Sequence, residues 1–211
     1  MSAVNIIEKI LNERHDCEIG NFECCIVCSS RLLSCKLFSF PSCAFTVANA
    51  GCQAATNLAS IYYAVKTYNL PLIGVIETNG ISVKDLIGMN FPAAEVEFKV
   101  LSKVYEENFE ILAPLYESEE LLNTAFIELN IDAQVDVIKN VPEFEKLFEE
   151  KGLLICGFVF DEACVYGEKP GFYLTNCNGL KDPEAIRQLD FMENLPEPLL
   201  KEKVNRLHIQ M

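Results

Sequence analysis

Histidine is almost missing from this sequence of 211 residues: His15 and His208, one near each end, are its only two. A hydroxyl nucleophile needs a base held beside it, so a Ser-His catalytic pair finds little support, and His15 reads as a helix-end residue. Basic residues are scarce as well, 17 Lys and Arg against 31 Asp and Glu, giving a formal charge of −14. Phosphate backbones and anionic lipid repel such a chain, which argues against nucleic acid and membrane surfaces as partners. Solubility is a sufficient reason for the acidity. Long apolar runs are missing too. The best of them, residues 153–160, is under half of the roughly 20 residues a spanning helix needs. Glu8, Lys9, Glu13 and Arg14 interrupt any signal core, so no secretory peptide is expected and the cytoplasm is the expected compartment.

What the chain does have is apolar substance. Half of its residues are hydrophobic and 23% charged, enough for a sizeable core and too apolar for general disorder. Ten residues are cysteine, six of them between Cys24 and Cys52. In a chain this large and apolar, reduced thiols packed as small hydrophobes are the default reading.

Periodicity supplies the elements. Val4–His15 carries Ile6, Ile7, Ile10 and Leu11 on one helical stripe, in need of a covering surface. Phe22–Cys28 is short and almost wholly apolar, as in a strand buried on both faces of a parallel sheet. Ala44–Val47 is a second strand, closed by Asn49-Ala50-Gly51, and a helix is expected from Cys52 to Tyr68. Pro71–Ile76 is a third strand, ending at Glu77-Thr78-Asn79-Gly80. Residues 93–152 read as mostly helical, with Pro142 opening a helix and Gly152 closing it. Leu153–Phe160 is the fourth strand, and Phe172–Thr175 is placed to pair with it. Alternating buried strands and helices make an α/β domain around a mostly parallel sheet, here residues 1–178, with 179–211 a tail packing on the domain or on a partner subunit. Ligands of such sheets bind beyond the carboxyl ends of the strands, here Cys28–Arg31, Val47–Gly51 and Ile76–Ile81.

In these segments the sequence resembles the β-class carbonic anhydrases. Val27-Cys28-Ser29-Ser30-Arg31 stands where the family has Cys-x-Asp-x-Arg, followed by Lys36-Leu37-Phe38 and then Ala48-Asn49-Ala50-Gly51. Thr78-Asn79-Gly80-Ile81 stands where it has His-x-x-Cys. Asn130–Val135 and Gly157–Asp161 resemble its last helix and last core strand. The resemblance implies a β-carbonic-anhydrase-like fold over roughly residues 1–165, and a homo-oligomer, dimer or tetramer, paired through the N-terminal helix and sheet edge.

It also implies a degenerate metal site. The first Cys ligand becomes Val27, the Asp becomes Ser29, the His becomes Thr78 and the second Cys becomes Ile81; Arg31 and the Asn49-Ala50-Gly51 turn remain. Zinc needs thiolate, imidazole or carboxylate donors, and Val and Ile offer none. Without it nothing lowers the pKa of a bound water to about 7. On a strand Cys28 faces away from Val27, Ser29 and Arg31, and Cys25-Ile-Val-Cys28 is a poor chelate for the same reason. A rearranged zinc site would draw on Cys28, Cys35 or Cys52. Arg31, with Asn49 and Gly51, forms a candidate site for a small anion, against which stands an inherited structural ion pair or cap. Glu77 is a candidate base, or a solvated or paired carboxylate; Asn79-Gly80 reads as a turn, and Glu106–Glu120 as a solvated helix face.

These residues are compatible with three functions. The first is a zinc-less, catalytically inactive scaffold for binding or assembly, with no cofactor. The second is an active enzyme, hydrating carbon dioxide at a displaced zinc site or running another reaction in the same pocket. The third, suggested by cysteine count alone, is a thiol-reactive protein.

Overall fold

The computed structural model describes residues 2–13, 21–34, 43–88, 92–116 and 118–207. Cys35, Lys36-Leu37-Phe38 and both histidines lie outside them. Five strands, β1 (Cys24–Ser29), β2 (Ala44–Asn49), β3 (Leu72–Thr78), β4 (Leu154–Asp161) and β5 (Gly171–Cys177), form one sheet in the order β2-β1-β3-β4-β5. The first four are parallel, and β5 runs antiparallel to β4. Nine α-helices occur among the described residues: α1 (Ala3–Leu11), α2 (Ser30–Ser34), α3 (Leu58–Tyr68), α4 (Val83–Ile87), α5 (Pro92–Leu112), α6 (Glu119–Lys139), α7 (Pro142–Lys151), α8 (Pro183–Arg187) and α9 (Glu197–Lys203). None of them is long and apolar enough to cross a membrane.

Strand alternation divides the core in two. Cys25, Val27, Ile73 and Val75 face a layer built from α3 to α7, whereas Cys24, Ile26, Cys28 and Ile76 face α1, α2, α8 and α9. α1 therefore lays its apolar stripe on its own sheet: Ile6, Ile7, Ile10 and Leu11 are buried within the chain. The stripe calls for no partner surface and gives no reason for the chain to oligomerise. The segment after Asn178 packs on the domain as well, through the buried Ile186, Met192, Leu200 and Val204.

Several boundaries differ from the periodicity, three of them for a visible reason. α3 begins at Leu58 rather than near Cys52, because residues 49–54 are tied into a side-chain network and Cys52 holds a left-handed φ of 54°. β3 runs two residues further, to Thr78, since β4 pairs with Glu77 and Thr78. The acidic stretch breaks between α5 and α6, although Glu106, Glu107 and Glu110 are exposed as a solvated face should be. Gly152 closes α7 at φ 64°. Packing requires a glycine at position 157: a Cβ there, on β4, would stand 2.3 Å from the Ile131 side chain of α6. Seven cysteines among the described residues are free thiols, six of them buried. Cys43 is disulfide-bonded, contrary to the all-reduced expectation.

Candidate functional site: the strand ends

β1 and β3 are adjacent and in parallel register, Val27 beside Val75 and Cys28 beside Ile76. One step further, alternation brings Ser29 and Glu77 to the face of Val27, under α3 to α7. The Ser29 hydroxyl donates to a Glu77 carboxyl oxygen at 2.5 Å, and the Thr78 amide donates to the same oxygen at 2.9 Å. Glu77 is 1% exposed. Burial pushes it up to about 7, against the opposing pull of those two hydrogen bonds. The carboxylate expected to be solvated or paired is thus buried, and no cation among the described residues pairs with it.

Thr78 does not join this pair. Its hydroxyl donates to Glu162 at 2.8 Å, beyond the end of β4. Val27 is fully buried in the apolar layer and Ile81 packs partly buried against the same layer. Arg31 sits on α2, past the strand end, with an exposed side chain. Asn49 spends its side chain on Gln53, accepting from its amide at 2.7 Å and donating to its carbonyl at 2.8 Å. The Gly51 carbonyl accepts from Gln53 and Asn130, and a Cβ on Gly51 would meet the Phe98 ring at 2.8 Å. The turn is thus locked to α6 by Gln53, Asn130 and Gln134, all buried. Periodicity gives no hint of this network; its only advance signal is the amide-rich spacing of α6.

The thiols divide as strand geometry demands. Cys25 and Cys28 lie in opposite layers. Cys52 sits across the ends of β1 and β3, its thiol 3.6 Å from the Val27 carbonyl and 3.4 Å from that of Ile76. Burial first, and the Glu77 charge second, push the Cys28 thiol up to about 12 and hold Cys52 well above its ordinary range. Both are protonated at neutral pH, the wrong state for a nucleophile. No three His, Cys, Asp or Glu side chains among the described residues converge as a metal ion requires. With Val27 and Ile81 devoid of donors and Thr78 turned to Glu162, the strand ends do not fit zinc.

Behind them is a second polar cluster. Asn79 donates to the buried Asp161 at 2.6 Å and accepts from the Ala163 amide, so it ties β3 to the loop after β4 rather than merely turning the chain. On α6, Glu128 accepts from Tyr166 and, at 2.8 Å, from the Leu207 amide, while Arg206 forks onto Asp132 at 2.8 and 3.2 Å and lies 3.3 Å from Glu128. Burial raises Glu128 to about 7 against the pull of Arg206.

No protein-family model and no curated protein matches the sequence. Solved structures do match. One of two tetrameric β-carbonic anhydrases from the filamentous ascomycete Sordaria macrospora superposes with a TM-score of 0.58 at 20% identity, covering 69% of this chain and 79% of its own. The β-carbonic anhydrase CafA of Aspergillus fumigatus gives 0.57 at 17% identity, over 87% of this chain and 81% of its own. The Coccomyxa β-carbonic anhydrase, in complex with acetazolamide, gives 0.57 at 14% identity, over 90% and 88%. The chain has the β-carbonic anhydrase fold.

Proposed function

We propose that this is a β-carbonic-anhydrase-like protein that holds no zinc, hydrates no carbon dioxide and acts as a binding or assembly scaffold. The observation that carries this reading is the buried Ser29–Glu77 pair between Val27 and Ile81. Polar groups at the strand ends satisfy one another, and apolar side chains occupy two of the places where the family has ligands. A fold can persist without its chemistry, because function resides in the site. The protein works as a dimer or tetramer: among the described residues β2 is a sheet edge, bonded on one side, and Phe22, Phe45, Tyr63 and Tyr68 cluster beside it, three of these rings exposed. The seven free thiols favour the cytoplasm, with the Cys43 disulfide as the observation against it. A small anion is its candidate ligand at Arg31. Elemental analysis beside a carbon dioxide hydration assay tests the proposal. Well under one zinc per chain and no hydration are expected. One zinc per chain retained after mild chelation, or hydration that rises with added zinc, overturns it.

A further inference from the structure

Away from the strand ends, a cavity of about 380 Å³ opens between the start of α4, the middle of α5 and the first turns of α6. Such a volume, walled by rings with a few polar groups, is that of a small-molecule site. One wall is aromatic. The Tyr105 ring lies 4.6 Å from Phe126 and 5.1 Å from Phe109, and the Phe109 and Phe126 planes are within 8° of parallel. Phe109 remains 40% exposed although Tyr105 and Phe126 pack against it. Its apolar face is thus left for an occupant.

Two polar features point to that occupant. Tyr116 lines the cavity, and its buried hydroxyl is one of only two buried side-chain polar atoms among the described residues that lack a hydrogen-bond partner. A phenol without an acceptor is a donor waiting for one. Lys84, also lining the cavity, is exposed and forms no ion pair among the described residues. Glu119 lines it too, but Ser118 caps α6 there by accepting from the Leu121 amide, and the positive end of a 21-residue helix partly offsets that carboxylate.

We infer that this cavity binds a small flat aromatic anion, its ring laid on Tyr105 and Phe109, an acceptor taking the Tyr116 hydroxyl and its negative group meeting Lys84. The site does not depend on whether the strand ends hold zinc, so it stands or falls apart from the scaffold reading.

The test uses two fluorescent probes, the anionic 8-anilinonaphthalene-1-sulfonate and the neutral N-phenyl-1-naphthylamine, titrated into native full-length protein. Saturable binding of both at one probe per chain is expected, the anion tighter. Phe109→Ala should weaken both by roughly tenfold. Lys84→Ala should weaken the anion alone by about threefold, and Tyr116→Phe should weaken the anion by about fivefold. Thermal melts check that each variant is folded; Lys84 and Phe109 are exposed enough to be replaced safely. Absence of saturable binding, several probes per chain, or affinities indifferent to Phe109→Ala and Lys84→Ala would overturn the site. Equal affinity of the two probes, unmoved by Lys84→Ala, would overturn its preference for an anion.

Discussion

The Ser29 hydroxyl hydrogen-bonds the Glu77 carboxyl group at 2.5 Å where β1 and β3 end side by side, with no cation among the described residues to neutralise the acid. A buried carboxyl group in that situation is most stable with its proton on. That property gives the strand ends a measurable signature.

Glu77 is raised from 4.5 to about 7 in the folded protein. Between those values the folded chain binds the proton that the unfolded chain has released, so this group's contribution is complete below pH 4.5 and is lost as pH rises through 7. Glu77→Gln, which keeps an acceptor for Ser29 and Thr78, should match wild type near pH 5 and exceed it at pH 8 by up to about 3 kcal/mol. Urea melts at both pH values decide it. An identical pH slope in the two proteins would show Glu77 to be ordinary.

Arg206 should matter more than any other basic residue among the described ones. Replacing it with Ala leaves Glu128 buried without a cation and Asp132 with only the half-exposed Lys181, 3.4 Å away, a change worth about 3–5 kcal/mol. Because Glu128 is itself raised to about 7, the loss should be smaller at pH 5, where it is protonated, than at pH 8. Equal losses at the two pH values would contradict the arrangement.

Gly157→Ala should cost about 1–3 kcal/mol by forcing Ile131 off β4, read as a drop in the urea midpoint with the slope unchanged.

Cys164 is the one exposed free thiol among the described residues. Cys164→Ser should remove one equivalent of fast reaction with a disulfide reagent. Cys24, Cys25, Cys28, Cys52, Cys156 and Cys177 should react only as fast as the protein unfolds.

Light scattering at micromolar concentration should give a mass of at least two chains of 23.7 kDa, and Tyr68→Asp, at the exposed ring cluster beside β2, should lower it. A single-chain mass for the wild type would end the oligomer proposal.

The division of β1 into two faces is legible in the amino-acid order itself. A period of two suffices to separate Val27 and Ser29 from Cys28, and the two layers obey it. The sheet is equally legible, because short apolar runs bounded by polar turns admit few other interpretations. Glu77 is not. Its burial depends on β4 pairing two residues past the apolar run, an interaction between segments about 80 residues apart, and a lone acid looks the same in sequence whether wet or dry. The late start of α3 has a similar origin, since amides of α6 claim residues that local propensity would give to the helix. Nor does periodicity single out Arg206, which lies in a stretch without any; only the folded chain sets it against α6.

That last placement bears on how the chain assembles. Arg206 meets Asp132 across 74 positions of sequence, and α6 packs over β3 and β4 at the centre of the sheet. During synthesis α6 emerges long before Arg206 does, so two of its acids have no guanidinium to bury against until nearly the whole domain is available. Closure around α6 is therefore a late, non-local event, and loop-closure entropy makes such events slow. A nascent chain halted just short of Arg206 should linger in an open state susceptible to proteases, its sheet formed and its central helix still half in water.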